Sequence, residues 1–204
     1  MQTGAQKTAF LWPIVAIISL LTFVSMTLET QAQNLGGRTL EKAPQGTPAP
    51  KTRWLDADGN TVRLADFRGK VVLLNLWATW CGPCVIEMPD LDALQKKYGR
   101  SGLEVVAVSL NEEGPAAIKP FFAEHGLDNL KIYYGGEAPA KDFGARTLPS
   151  SYLINRDGTL IGEVPGFAKW QTIALEKHIQ HALKKGFKEN KMPFEGREVR
   201  ELGK

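Results

Sequence analysis

The stretch LWATWCGPCVIEMPDL, residues 76–91, decides the fold, and it contains both cysteines of the 204-residue chain. Cys81 and Cys84 are separated only by a glycine and a proline. Such close spacing in a chain with no other cysteine indicates either a metal site or a redox couple. A tetrahedral zinc site needs two further sulfur or imidazole ligands, and the three histidines all lie far along the chain from this pair. The spacing therefore favours a redox-active disulfide between Cys81 and Cys84, with no metal and no other cofactor.

The apolar pattern around the two cysteines predicts a strand that leads directly into a helix. Residues 70–77, KVVLLNLW, form a continuous apolar run of the kind found in strands covered on both faces. After Cys81, apolar residues recur at helical spacing as far as Tyr98. Unpaired N–H groups at the start of a helix stabilise negative charge, so Cys81 is predicted to be the attacking thiolate. Cys84, one turn further in, is predicted to resolve the mixed disulfide that Cys81 forms with a partner.

The remaining pattern alternates between strands and helices, which predicts an α/β fold. Residues 103–110 are a second buried strand, and the short helix linking it to the first implies a parallel, right-handed crossover. The other expected elements are a hairpin of strands 53–56 and 61–64, a helix at 115–125, a strand at 130–134, a short helix at 138–143, a hairpin of strands 151–155 and 159–164, and a helix at 168–185.

The N-terminus predicts a membrane segment. Residues 9–28 carry no charge over 20 positions, which is long enough to cross a bilayer, and Lys7 precedes them. They are either an uncleaved anchor or a signal peptide that is cleaved after Ala32. In both cases the rest of the chain is expected to be exported.

Four regions are predicted along the chain. They are the anchor or signal segment at 1–33, a proline-rich linker at 34–51, one folded domain at 52–186 and a charged tail at 187–204. The formal charge is only +3, and basic residues are interspersed with acidic ones. Because nucleic-acid binding needs a continuous basic surface, no nucleic-acid partner is expected.

Strand–helix–strand followed by strand–strand–helix is the order of the thioredoxin fold, and specific motifs narrow the resemblance. WATWCGPC, Thr147-Leu148-Pro149 and SYLINRDGTLIGEVPG together resemble the membrane-linked, exported thioredoxin-like proteins of the TlpA, ResA and CcmG type. NLWATWC and VPGFAKW make TlpA the member that the chain most resembles. The resemblance covers about residues 50–185, and it implies a thioredoxin-like fold with an N-terminal β-hairpin extension and a central insert.

The resemblance also implies a proton-handling group beside the cysteines. Ordinary thioredoxins carry a buried aspartate six positions before the first cysteine, where this chain has Asn75. Glu87, three residues after Cys84, is implied to replace that aspartate as a third catalytic residue.

Three further residues are expected to contact a substrate. The resemblance implies a cis peptide bond before Pro149 and a role for Leu148 in binding an extended substrate segment. Trp80 is expected to cover the sulfur of Cys81 and to contact partners, whereas Trp77 is expected in the core.

The function implied by the resemblance is that of an exported thiol-disulfide oxidoreductase that reduces specific protein disulfides. The implied clients are apocytochrome c or a copper-site assembly protein of cytochrome oxidase, and the implied electron donor is a thiol-transferring membrane protein. The expected location is the bacterial inner membrane facing the periplasm, or the periplasm itself if the chain is cleaved after Ala32.

Two alternatives remain at this point. An oxidant for folding exported proteins would share the fold, but Gly82-Pro83 places no cation or hydrogen-bonding side chain between the cysteines to stabilise a thiolate. A Sco-like copper-binding assembly factor would need three residues between its cysteines and a histidine near them, and the sequence has neither.

Overall fold

The computed structural model describes residues 38–185, which form one mixed sheet with helices on both faces. The eight strands are β1 (Glu41–Lys42), β2 (Arg53–Asp56), β3 (Thr61–Arg63), β4 (Val71–Trp77), β5 (Leu103–Ser109), β6 (Tyr133–Tyr134), β7 (Ser150–Ile154) and β8 (Leu160–Pro165). The helices are α1 (Gly82–Tyr98), α2 (Pro115–Glu124), α3 (Ala138–Phe143) and α4 (Ile173–Lys185). A short 3₁₀ helix, Leu64–Phe67, follows β3.

The sheet has the strand order β1-β8-β7-β4-β5-β6-β2-β3. β4 and β5 are parallel and are joined by α1, while β7 and β8 continue the sheet as an antiparallel hairpin. All seven residues of β4 and all seven of β5 are buried, because helices or loops cover both faces of these central strands. This arrangement confirms the predicted α/β fold, the parallel crossover and both hairpins.

Two hydrophobic clusters lie on opposite faces of the sheet. One combines alternate residues of β4, such as Leu73, with the buried side of α1, including Cys84 and Met88. The other combines the remaining β4 residues, such as Val72, with Phe67 of the 3₁₀ helix and neighbouring strands. Because side chains alternate along a strand, β4 supplies both clusters and holds the start of α1 at its carboxyl end.

The central insert between β5 and β7 contains α2, β6 and α3. β6 covers only Tyr133–Tyr134, so the predicted strand at 130–134 was too long. The backbone N–H groups of Asn129 and Leu130 donate to Asp92 Oδ1 at 2.8 and 3.1 Å, respectively. These donors are therefore engaged by α1 instead of by a neighbouring strand.

The last helix begins later than predicted, at Ile173 instead of at Ala168. The segment before it packs into the core, since Ala168 and Trp170 are both buried. Helical spacing continues through this segment in the sequence. In the structure, however, the backbone N–H of Ala168 donates to the side chain of Glu87 in α1 at 3.1 Å.

The predicted linker at 34–51 is attached to the folded domain over its described residues, 38–51. β1 pairs with β8, and the backbone of Ala43, Thr47 and Ala49 hydrogen-bonds to residues of the β7–β8 hairpin at 2.8–3.0 Å. Leu40 packs against the core cluster that contains α1. The proline-rich composition was typical of a free spacer, but short edge pairing needs only a few backbone groups and leaves little trace in the sequence.

The predicted membrane segment at 1–33 and the predicted tail at 187–204 lie outside the described residues. Within residues 38–185, no helix has the length and apolar character needed to cross a bilayer.

Candidate active site

The two cysteines lie at the junction between β4 and α1. Cys81 is the N-cap residue of α1 and has an extended backbone, and the N–H of Cys84 donates to its sulfur at 3.3 Å. The two sulfurs are joined in a disulfide bond. Cys81 is 7% exposed and Cys84 is fully buried. Of the two cysteines, only Cys81 is therefore accessible to a partner protein. The same helix start supplies N–H groups that stabilise a thiolate at Cys81 after reduction.

Glu87 lies on the buried side of this helix, with only 1% of its surface exposed. Asn75 Nδ2 donates to its Oε1 at 2.6 Å, and the backbone N–H of Ala168 donates to its Oε2 at 3.1 Å. Asn75 belongs to β4 and Ala168 to the segment before α4. The carboxylate therefore joins the central strand, the cysteine helix and the segment before the last helix.

Burial raises the pKa of Glu87 from its usual value to about 7, because the charged form loses its hydration. The hydrogen bonds from Ala168 and Asn75 oppose this rise, because both donors favour the charged carboxylate. The Trp170 indole adds a weaker effect in the same direction, although it lies outside good hydrogen-bond geometry. A carboxyl group with this pKa exchanges its proton near neutral pH, as general acid–base catalysis requires.

Asn75 connects Glu87 to the neighbouring strand. Its Nδ2 also donates to Ser151 Oγ of β7 at 2.9 Å, and all three side chains are almost completely buried. The sequence identified Asn75 only as the replacement for an aspartate, and it missed Ser151 and Ala168 altogether. A backbone donor such as Ala168 leaves no signal in a sequence.

Of the two tryptophans beside the motif, Trp77 has the predicted location in the core, whereas the predicted cover of the Cys81 sulfur by Trp80 stays a prediction. Trp77 is fully buried and packs against aromatic rings of α2, including Phe121 at 5.0 Å between ring centroids. Trp80 is 69% exposed, which is high for so large an apolar side chain. An exposed indole next to a reactive sulfur is available for contact with a partner protein.

The segment before β7 contains the predicted cis peptide bond, between Leu148 and Pro149. Pro149 is buried, and its carbonyl accepts from the N–H of Gly166 at 2.8 Å. Leu148 is half-buried and packs against the cluster that contains both cysteines. The structure therefore places Leu148 at the cysteine end of the sheet.

A groove of about 720 Å³ lies beside the cysteines, and Trp80 and Leu148 both line it. Three acidic side chains, Glu112, Glu113 and Glu137, stand around this apolar centre. The only basic side chain in its lining, Lys141, forms an ion pair with Glu137 at 2.8 Å. The groove, called here the acidic groove, is therefore lined by apolar and by negatively charged side chains.

Asn111 holds the loop that presents Trp80 and Cys81, and sequence reasoning missed it. Its Oδ1 accepts from the backbone N–H of Thr79 at 3.0 Å, and its Nδ2 donates to Thr79 Oγ1 at 2.7 Å. Ser109 Oγ donates to the same Oδ1 at 2.9 Å. These bonds fix the loop before Cys81 to the end of β5.

No three side chains of the His, Cys, Asp or Glu type gather as metal ligands among residues 38–185. His178, which shares a helical face with His181, has its pKa lowered, first by burial and then by nearby positive charge.

Known proteins with similar sequences carry out thiol-disulfide chemistry. The family model described as Redoxin matches residues 44–177. The thiol-disulfide oxidoreductase ResA of Bacillus thuringiensis subsp. konkukian (strain 97-27) is 40% identical over 127 residues, which are 62% of this chain and 72% of that protein. ResA of Geobacillus kaustophilus (strain HTA426) is 28% identical over 179 residues, 88% of this chain and 95% of that protein.

Solved structures give the same result. A crystal structure from Chlorobium tepidum, of a protein assigned as thiol:disulfide interchange protein DsbE, superposes with a TM-score of 0.62 at 34% identity. The match covers 71% of this chain and 99% of that one. The Chlorobium tepidum protein therefore shares the fold described above over nearly its whole length.

The raised pKa of Glu87 predicts a specific dependence of stability on pH. Between about pH 4.5 and about 7, folded Glu87 keeps a proton that the unfolded chain has released. The contribution of Glu87 to the free energy of unfolding should therefore fall as pH rises through this window, by about 3 kcal/mol in total, and stay level above it. Denaturant unfolding of the oxidised chain at several pH values measures the effect, because the disulfide keeps the cysteines from titrating.

Glu87→Gln should remove this slope, and Glu124→Gln, at an exposed position of α2, should preserve it. The comparison is made between slopes, since a glutamine facing the N–H of Ala168 also changes stability by an amount that is independent of pH. Identical slopes in the wild type and Glu87→Gln would show that Glu87 is not the group that titrates.

Proposed function

Because the chain belongs to the Redoxin family and is a thiol-disulfide oxidoreductase of the ResA type, we propose that it reduces disulfides in specific exported proteins. The observation that carries this proposal is the combination of an accessible Cys81 at a helix start, a buried Cys84 and a buried carboxyl group three residues further on. The accessible sulfur of Cys81 is suited to attack the client disulfide. The buried sulfur of Cys84 is suited to attack the resulting mixed disulfide and so to release the client.

The reaction proceeds by thiol-disulfide exchange. The thiolate of Cys81 attacks one sulfur of the client disulfide, and the other client sulfur leaves and takes a proton. Cys84 then loses its proton and attacks the sulfur of Cys81, which releases the second client thiol and closes the Cys81–Cys84 disulfide. Two electrons pass to the client, and a second thiol pair must later return the protein to its reduced form.

Glu87 is proposed to accept the proton from Cys84 and to return it on the reverse pass. Cys84 is fully buried, so water cannot reach its thiol freely, and a nearby carboxylate is the alternative base. The pKa of about 7 leaves Glu87 partly ionised at neutral pH, so that it is able both to take up and to release a proton. Asn75 and Ala168 keep its carboxylate oriented throughout.

The direction of transfer is proposed to be reducing. Stabilisation of the Cys81 thiolate raises the reduction potential, and strong oxidants obtain it from a residue between the cysteines. Here the intervening Gly82-Pro83 supplies neither a charge nor a side-chain donor. Ionised Glu87 also opposes a nearby thiolate, so the thiols bind their protons more tightly and the pair gives up electrons more readily.

The lining of the acidic groove favours client segments that carry apolar and basic side chains. Its apolar centre suits an extended segment with an apolar side chain next to the client cysteine, held by the backbone near Leu148 and Pro149 and by the ring of Trp80. The carboxylates at its edge favour a segment that also carries basic residues. Apocytochrome c and copper-site assembly proteins of cytochrome oxidase are the proposed clients.

The setting is proposed to be the outer side of a bacterial inner membrane. The uncharged segment at 9–28 supports export, as an anchor or as a cleaved signal. In an oxidising compartment a reductant needs a constant supply of electrons. A membrane protein that carries thiols across the bilayer is the proposed donor.

Equilibration with glutathione tests the direction. The Cys81–Cys84 pair should have a potential below about −200 mV, nearer to thioredoxin at about −270 mV than to strong oxidants at about −120 mV. Mass spectrometry after acid quenching and thiol alkylation measures the reduced fraction at each glutathione ratio. A potential near that of the oxidants would leave the enzyme class intact but reverse the proposed direction.

Trapping tests the roles of the two cysteines. Cys84→Ser should accumulate covalent complexes between Cys81 and client proteins in cells, because the resolving sulfur is missing. Cys81→Ser should accumulate almost none, since Cys84 is buried and inaccessible to clients. Equal trapping by both variants would contradict the assignment, and mass spectrometry of the trapped proteins identifies the clients.

A further inference from the structure

A second groove, of about 650 Å³, lies at the opposite end of the sheet from the cysteines. Its floor contains Phe67, Val72 and Ile154, which belong to the cluster on the sheet face away from α1. Val72 stands at the start of β4 and Trp77 at its end, so the groove lies about 17 Å along the strand from the redox site. The two grooves have no lining residue in common, but both border α3, which contributes Ala138 and Asp142 to this groove and Ala140 and Lys141 to the acidic groove.

Positive charge dominates this second groove, called here the basic groove. Its lining includes four cationic side chains, Lys51, Arg53, Arg63 and Arg68. Asp142 is the one acidic residue in the same lining. Four like charges around one concave surface repel each other, and an anionic ligand relieves that repulsion.

Neighbouring acids within the described part of the chain offset this charge only in part. The ion pairs found among residues 38–185 involve other cations, namely Lys70, Lys97, Lys131 and Lys141. Asp66 receives a hydrogen bond from the backbone N–H of Arg63 at 2.8 Å. Asp157 is close enough to Arg68 to interact with its charge, but it accepts hydrogen bonds from Thr159.

Thr52 has a buried hydroxyl group next to the basic groove. It lines the basic groove and is 7% exposed, and its hydroxyl has no hydrogen-bond partner among the described residues. Buried polar groups in proteins are nearly always hydrogen-bonded, because an unpaired one destabilises the fold. Because this hydroxyl oxygen is itself closed to solvent, a ligand in the groove does not reach it, and the case for a ligand depends on the charge of the lining.

We propose that the basic groove binds the phosphate of an acidic phospholipid head group at the membrane surface. Arginine side chains pair with phosphate through two parallel hydrogen bonds, and the three arginines here are gathered around one floor. The apolar floor suits the glycerol and upper acyl region that accompany such a head group.

The sequence explains why a bilayer is the favoured source of that phosphate. The uncharged segment at 9–28 is long enough to enter a membrane, and only residues 29–37 separate it from the described domain. Nine residues span at most about 30 Å, so an anchored domain stays close to the lipid surface. Binding through the basic groove would direct the opposite end of β4, with the cysteines, away from the membrane and towards clients.

Hydrogen exchange of the full chain in lipid nanodiscs tests the proposal. One set of discs contains phosphatidylcholine alone, and the other an equal mixture of phosphatidylcholine and phosphatidylglycerol. Peptides covering residues 49–53 and 63–68 should exchange more slowly in the acidic discs, by about threefold or more, and molar salt should abolish the difference because it screens charge within about 3 Å.

A matched pair of variants identifies the surface. Arg53→Gln/Arg63→Gln/Arg68→Gln should lose the protection, whereas Lys96→Gln/Lys119→Gln/Lys169→Gln, which removes the same charge from exposed positions elsewhere, should keep it. Both variants should retain disulfide-reducing activity, which shows that each is folded.

A third arm adds glycerol phosphate to the phosphatidylcholine discs, and it should give little protection. Equal protection by glycerol phosphate would show a site for small soluble anions and would overturn the assignment to lipid. Equal exchange in both kinds of disc, or protection that survives in the arginine variant, would overturn the proposal as well.

Discussion

The burial of the Glu87 carboxyl group is the constraint on which the redox end of this structure depends. Removing a carboxylate from water is costly, and the fold offsets that cost with donors from two distant parts of the chain. Asn75 reaches it from the central strand, and the N–H of Ala168 reaches it from the segment before α4. This second donor lies just outside α4, which begins five residues later at Ile173.

The same carboxyl group lies on the helix that begins between the cysteines. Cys81, Cys84 and Glu87 share this one rigid element, so the chemistry depends on the packing of α1 against β4. Loops contribute the remaining parts: Asn111 fixes the loop that carries Trp80, and Leu148 lines the acidic groove from the segment before β7. The disulfide and Glu87 therefore lie at the carboxyl end of β4, while Val72, in the floor of the basic groove, lies near its start.

The sequence predicted much of this arrangement because its signals are local. The close cysteine pair, the apolar run of β4 and the helical spacing after Cys81 each depend on a few neighbouring residues, and the structure has all three elements as expected. The features that were missed involve backbone groups or distant partners. Three contacts form only when separate parts of the chain meet. They are the hydrogen bond from the Ala168 N–H, the hydrogen bonds from the N–H groups of Asn129 and Leu130 to Asp92, and the pairing of β1 with β8.

Direct titration of Glu87 tests the central claim, which is that this buried carboxyl group exchanges a proton near neutral pH. Carbon-13 NMR of the side-chain carboxyl carbon in the oxidised full chain, assigned by comparison with Glu87→Gln, reports the midpoint without any assumption about activity. The account predicts a midpoint of about 7, and a higher one in Asn75→Ala, where the ionised form loses a donor. A midpoint near 4.5, the ordinary value for a glutamate, would contradict the account.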